Sequence, residues 1–375
     1  MFNKYELSKN SYRCKVYYFG LLSVLLLLFM ENSFSQKSGK GFEEMKGTLF
    51  THVITDRTDT LGSKEITELR DDKGVSLWFS REIFLNVCLT GECRLVRVRI
   101  YWTGAATYLG LVSPEDYPLT KADHSVFTPA DYEKLDQILS VSLSILKRLK
   151  INDLIIKTTE LNKKHIDGHS GATQPSLSEY VVKNSVYTCY SLWQTVYGST
   201  LGKIRSIIEQ RTDDNYLRIV FSRKNPKYLL WAIDFVRGHP QFHPSFYREI
   251  MNLIRSEDIN ISQRALHYFT PALLSNPYIQ KDLARVIEEA SSNMKFEIIW
   301  KLSPLRHIDN DAILILLEQF ESQKLSAGLL GYVYMLIHPD NMEDARIEAK
   351  IKNISKDNNL YVRNITEKIL SEKRD

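Results

Sequence analysis

The sequence predicts an α+β domain, an antiparallel sheet with helices, followed by an all-α domain of stacked helical repeats. Three observations predict it. Alternating strand-like runs concentrate in residues 48–109 with none beyond 201, capped amphipathic helix signals begin at Thr128, and paired helical segments recur at intervals of about 33 residues from 201 onward. The expected boundaries are a signal peptide over 1–35, a linker over 36–48, the α+β domain over 49–198 and the repeat domain over 199–375.

The N-terminus reads as an export signal. Lys4, Arg13 and Lys15 precede an apolar run from Val16 to Met30, in which Leu25 to Leu28 is unbroken. Ser33 and Ser35 then give the small-x-small pattern of a signal-peptidase site. The apolar run falls short of the roughly 20 residues that span a bilayer as a helix. An uncleaved anchor, for which the long basic n-region speaks, is the alternative, and the chain would then touch a membrane. No Cys stands at the cleavage point to accept a lipid. The expected location is therefore extracytoplasmic, periplasmic or secreted.

Composition narrows the function. The 43% hydrophobic and 25% charged fractions are those of folded protein rather than disorder. The net charge is only +4, and the basic residues are scattered, so no nucleic-acid stripe is present. Lys163-Lys164 reads as a solvated loop.

Residues 36–48 are polar and rich in Gly and Lys, a tether. Thr48 to Ile54, Val75 to Val87 and Leu95 to Trp102 alternate apolar with polar, and Arg94 to Ile100 does so almost without exception, as a half-buried strand requires. Gly104 and Gly110 flank a short strand or turn at Thr107-Tyr108-Leu109. Between two of these runs lies Cys88-Leu-Thr-Gly-Glu-Cys93. A two-residue turn at Thr90-Gly91 would set Cys88 opposite Cys93 as a non-hydrogen-bonded pair, close enough to bridge. Export favours a structural disulfide there, with a redox-active pair as the alternative. No C-x-x-C-H haem site is present, Cys14 lies in the signal, and Cys189 reads as a buried thiol on a helix.

Helix is expected from Thr128, where Thr-Pro-Ala-Asp131 supplies an N-cap, a proline at the first position and a carboxylate at the third. Leu135, Ile138, Leu139, Leu143 and Leu146 would line one face as far as Lys150. Asp153 to Lys157 reads as a strand. Ser176-Leu-Ser-Glu179 reads as a capping box that opens a helix running to Tyr197 and stopping at Gly198. Beyond 201 the first members of the helix pairs begin near Pro226, Asn260, Asn293, Leu325 and Asn359. That period marks helical hairpins of the HEAT-like kind, each covering its neighbour's apolar face and together offering an interaction surface.

One loop carries chemistry. His165-Ile-Asp167-Gly-His169-Ser170-Gly171-Ala172-Thr173 is small and flexible, and it precedes an expected helix start. Such a place favours a phosphate, and Gly and Ala let backbone approach it closely. The stretch Asp167-x-x-Ser170-Gly171-Ala172-Thr173 resembles the flavinylation motif of FMN-binding domains in the Rnf complex and in sodium-pumping NADH:quinone oxidoreductase. The resemblance implies covalent FMN on Thr173, joined as a phosphoester by a flavin transferase outside the cytoplasm. Asp167, Ser170, Gly171 and Ala172 would form the recognition loop. The family's His-Glu-Thr-x-Gly-Leu stretch is not evident upstream, where His124 to Thr128 stands instead. Trp102, Tyr108, Tyr187 and Trp193 are candidates to stack on the flavin or to serve the core.

Weaker patterns are His165 and His169 as metal ligands, which Gly168 and Gly171 oppose by arguing for a loop. No G-x-S-x-G elbow surrounds Ser170, and Asn260, Asn353 and Asn364 begin N-x-[ST] triplets. The expectation is an exported electron-transfer flavoprotein that docks a protein redox partner on its repeats. The rival is a cofactor-free secreted scaffold, and a flavin reductase of small substrates is a third reading.

Overall fold

The computed structural model describes residues 41–87, 94–150, 154 and 179–372, in two compact units, one ending at Thr212 and one beginning at Asp213. The first is an α+β unit and the second is all-α.

Five antiparallel strands form a meander in the order β1-β2-β3-β4-β5: β1 Thr48–Val53, β2 Glu65–Arg70, β3 Ser76–Leu85, β4 Val96–Thr103 and β5 Tyr108–Val112. Strand β2 has no counterpart in the sequence reading, because Glu65, Glu68 and Arg70 disguise its alternation. Glu68 is nonetheless fully buried. Phe42, within the stretch read as a tether, packs in a cluster with Leu69, Trp78, Tyr101 and Val112, and its carbonyl accepts the Trp78 indole N–H at 3.0 Å. Gly110 makes that possible, since a Cβ there would meet the Phe42 ring at 2.8 Å. The β4–β5 turn takes its positive φ at Ala106 rather than at a glycine.

Helix α1, Pro129–Ser140, starts as expected. Thr128 accepts from the Asp131 N–H while Asp131 accepts from the Thr128 N–H, closing the capping box. It ends earlier than expected. Val141 is extended, Leu143 is 86% exposed, and Leu146 reaches the core only through a separate 3-10 turn capped by Ser144. The apolar spacing therefore spans two elements. Helix α2, Val186–Val196, begins ten residues after the expected capping box, and Glu179 to Ser185 forms turns instead. Ser176 and the strand expected at Asp153 to Lys157, apart from buried Leu154, lie outside the described residues.

Helix α3, Ser199–Arg211, belongs with the sheet. Its Thr200 accepts from Arg81 at 2.7 Å, and its Arg211 donates to Glu68, to Ser76 and to the Gly74 carbonyl.

Among its described residues the second unit holds ten helices of nine residues or more: α4 Asp214–Ser222, α5 Pro226–Gly238, α6 His243–Leu253, α7 Ile259–Tyr268, α8 Pro277–Val286, α9 Ser292–Leu302, α10 Asn310–Glu321, α11 Ala327–Met335, α12 Ala345–Ile354 and α13 Leu360–Glu372. The odd-numbered helices begin at 226, 259, 292, 327 and 360, within two residues of the expected starts. Odd helices pack on the next odd helix, and from α6 onward even helices pack on the next even one, giving two rows. Asx and Ser caps recur at Asp213, Asn225, Asp258, Asn276, Ser291, Asp309 and Asp344, which is why short connections suffice.

Buried amides stitch successive repeats. Gln280 donates to the Leu274 carbonyl at 2.8 Å and accepts from the Asp309 N–H at 2.7 Å. Asn341 donates to Ile308 O, and Gln319 to Ala284 O, both at 2.8 Å. Each amide satisfies backbone groups that the turns between helices leave open.

Candidate functional site

The odd row of the repeat unit carries a concentrated apolar surface. Phe296 and Trp300 sit one turn apart on α9 and stack, their ring centroids 6.1 Å apart. Tyr332 on α11 meets Phe296 edge-on at 5.1 Å. Tyr361, at the start of α13, approaches Gly331 so closely that a Cβ on that glycine would lie 3.5 Å from its hydroxyl. Met335 on α11 and Leu360 on α13 are 61% and 62% exposed, and Trp300 is 54% exposed. Helical spacing explains the array. Residues one turn apart share a face, and the repeat period brings that face into line from α9 to α13.

At the margin of this patch Lys301 follows Trp300. Burial, helped by the charge of Arg237, holds its ammonium below the usual lysine range. A cleft of about 520 Å³ opens elsewhere on the repeat unit, lined by Phe320, Glu321, Asn353, Asp357 and Val362. Both of its carboxylates are engaged: Glu321 accepts from Lys350 and Asn353, and Asp357 accepts from the Asn359 N–H. Burial alone would raise the Glu321 carboxyl, but those donors outweigh it and hold it low.

In the α+β unit the charged clusters are structural. Burial would raise the Glu68 carboxyl, but Arg70, Ser76 and His52 donate to it and Arg211 adds its charge, so it titrates below its ordinary value. Among the described residues no group of three or more His, Cys, Asp or Glu is arranged to hold a metal, and no helix is long and apolar enough to cross a membrane.

Asp167, Ser170, Gly171, Ala172 and Thr173 lie outside the described residues, as do His165, His169 and the Cys88–Cys93 pair. The chain leading toward that loop is tied to α2, for Tyr190 donates to the Leu149 carbonyl at 3.1 Å and Gln194 to the Leu146 carbonyl at 3.1 Å. On the returning side the Val182 N–H donates to the sulfur of Cys189. Three of the four aromatic residues considered for the flavin are engaged in the core. Trp102 donates to Val196 O, Tyr108 to Asp136, and Trp193 to Val141 O. Burial shifts the Tyr108 hydroxyl well above its ordinary value, and Tyr187 is half-buried. Cys189 is the buried helical thiol expected of it, its pKa pushed up to about 12 by burial.

Sequence reasoning missed the aromatic patch. Its signal was present as large apolar residues on the polar side of three helices in register, but repeat register has to be known before that side can be identified. No family model, curated protein or solved structure matches this chain.

Proposed function

We propose that this chain works outside the cytoplasm as a docking protein, its HEAT-like array binding a protein partner through the patch on α9, α11 and α13. The supporting observation is contiguity: Trp300, Phe296 and Tyr332 join across α9 and α11, Tyr361 on α13 lies against Gly331 next to Tyr332, and Met335 and Leu360 on the same helices are exposed. Isolated exposed apolar residues are ordinary, but joined patches of Trp, Tyr, Phe and Met are what protein interfaces use. Site-specific photo-crosslinking in the exporting cell tests it. A crosslinker replacing Glu297, beside the patch, is expected to trap a defined partner, and one replacing Lys352 in the even row is not. Equal trapping at both places, or none at either, would sink the proposal.

The Asp167-x-x-Ser170-Gly171-Ala172-Thr173 motif favours a second reading, in which the docked protein exchanges electrons with FMN on Thr173. The flavin ring would supply one- or two-electron chemistry, and the chain would supply the hydroxyl that holds its phosphate. Co-expression with a flavin transferase should add one FMN to the intact mass, and Thr173→Ala should abolish the addition. An unmodified wild-type chain leaves the cofactor-free scaffold.

A further inference from the structure

Strand β1 lies at an edge of the sheet, with β2 as its neighbour on one side. The β1–β2 register pairs Val53 with Glu65. One residue on, the Ile54 N–H donates to the Lys64 carbonyl at 2.6 Å. Hydrogen-bonded pairs alternate along an antiparallel ladder, so Thr48, Phe50 and His52 direct their backbone groups toward β2. Leu49, Thr51 and Val53 therefore direct their N–H and C=O groups away from the sheet. Their side chains are also open, Leu49 being 61% and Val53 69% exposed. The opposite edge differs, since β5 is mostly buried. The six residues Thr-Leu-Phe-Thr-His-Val include no Lys, Glu, Asp or Pro, the residues that ordinarily keep a free edge from pairing.

We infer that β1 pairs with β1 of a second copy of this chain, antiparallel about a two-fold axis at Thr51, joining two five-stranded sheets into one. The register follows from the ladder. New hydrogen-bonded pairs must join outward-directed residues, and the only pairing that uses all three sets Thr51 opposite Thr51 and Leu49 opposite Val53. On that face the strand meets itself with an aliphatic pair on each side of a Thr–Thr pair. On the other face Phe50 falls opposite His52. Pairs of these kinds stabilise sheets, and no carboxylate or ammonium of β1 meets its like across the axis. Self-complementarity is what selects a second copy, because one six-residue segment satisfies both halves of an isologous contact. Leu49 also stands opposite Leu69 within the sheet, so the added strand would extend the apolar face that ends in the Phe42, Trp78 and Tyr101 cluster.

Sedimentation velocity on the full chain, purified as the exporting host processes it, tests this over a wide concentration range. The wild type is expected to sediment as a reversible dimer. Thr51→Pro removes one outward N–H while leaving the bonds to β2, and Val53→Lys places an ammonium at the edge. Each should weaken self-association at least about tenfold with an unchanged far-ultraviolet circular dichroism spectrum. Val53→Lys decides the matter if the proline variant does not fold. A monomeric wild type at every concentration overturns the inference. So does a dimer that withstands Val53→Lys, including one that instead dissociates on Trp300→Glu.

Discussion

Arg81 and Asp59 form a buried, two-pronged ion pair, in which Nη2 donates to Oδ1 at 2.7 Å and Nη1 to Oδ2 at 3.0 Å. The same guanidinium donates to the Ser63 carbonyl and to Thr200 on α3, so one side chain ties a loop, a strand and a helix together. Arg81→Leu removes all of these donors and leaves a buried carboxylate with the Lys203 ammonium at 3.5 Å. The expected loss is about 3–5 kcal/mol, read from urea unfolding. A loss below about 1 kcal/mol would mean that water already reaches Asp59.

Acid should reveal the same pair. Hydrogen bonding from Arg81 holds the Asp59 carboxyl at about 2, against an ordinary 3.8. Its folded pKa is thus depressed, so its contribution is complete above about 4 and is lost as pH falls toward 2. Asp59→Asn should be less stable than wild type at neutral pH and should show a flatter decline across that window. Parallel curves for the two proteins would contradict the assignment.

Gln280 is the amide whose removal the repeat array should feel most. Gln280→Leu keeps much of the volume but leaves the Leu274 carbonyl and the Asp309 N–H without their partner. A loss of about 1–3 kcal/mol per stranded group is expected, and hydrogen exchange should quicken in α8 and at the start of α10. Unchanged protection there would show that water replaces the amide.

The aromatic patch should behave in the opposite sense. Trp300 is half exposed, and its α9 neighbours Ile298, Ile299 and Leu302 form the core instead. Trp300→Ala should therefore alter stability by no more than about 0.5 kcal/mol, while costing about 2 kcal/mol or more in affinity for the crosslinked partner. Loss of both together would mark Trp300 as a packing residue.

Cys189 should be inert until the chain opens. Its sulfur is fully buried, and its thiol is pushed up to about 12. Iodoacetamide at pH 8, followed by peptide mass mapping, should leave Cys189 unmodified in the native protein and label it in denaturant. Native labelling would show that α2 unfolds locally.

Much of the architecture is legible from the residues in order. The Thr128–Asp131 capping box is local chemistry, three residues apart, and it forms as read. The repeat starts are legible because most of the helices bring their own cap and their own apolar stripe. The alternation of Val96, Val98 and Ile100 likewise marks β4 without reference to any partner. What local pattern misplaces is length. Leu143 keeps helical spacing with Leu135 and Leu139, yet Val141 leaves the helix and Leu143 faces solvent.

By itself the sequence determined the class of each half, the caps and the repeat period, because those depend on contacts between residues a few positions apart. Tertiary structure decided the rest. Glu68 looks like a surface residue until Arg211, 143 positions away, closes over it. Phe296 and Tyr332 look like separate exposed side chains until the stacking of helices brings them together. In both cases what counts is a distance through space between residues far apart along the chain, and it exists only once the intervening elements have packed.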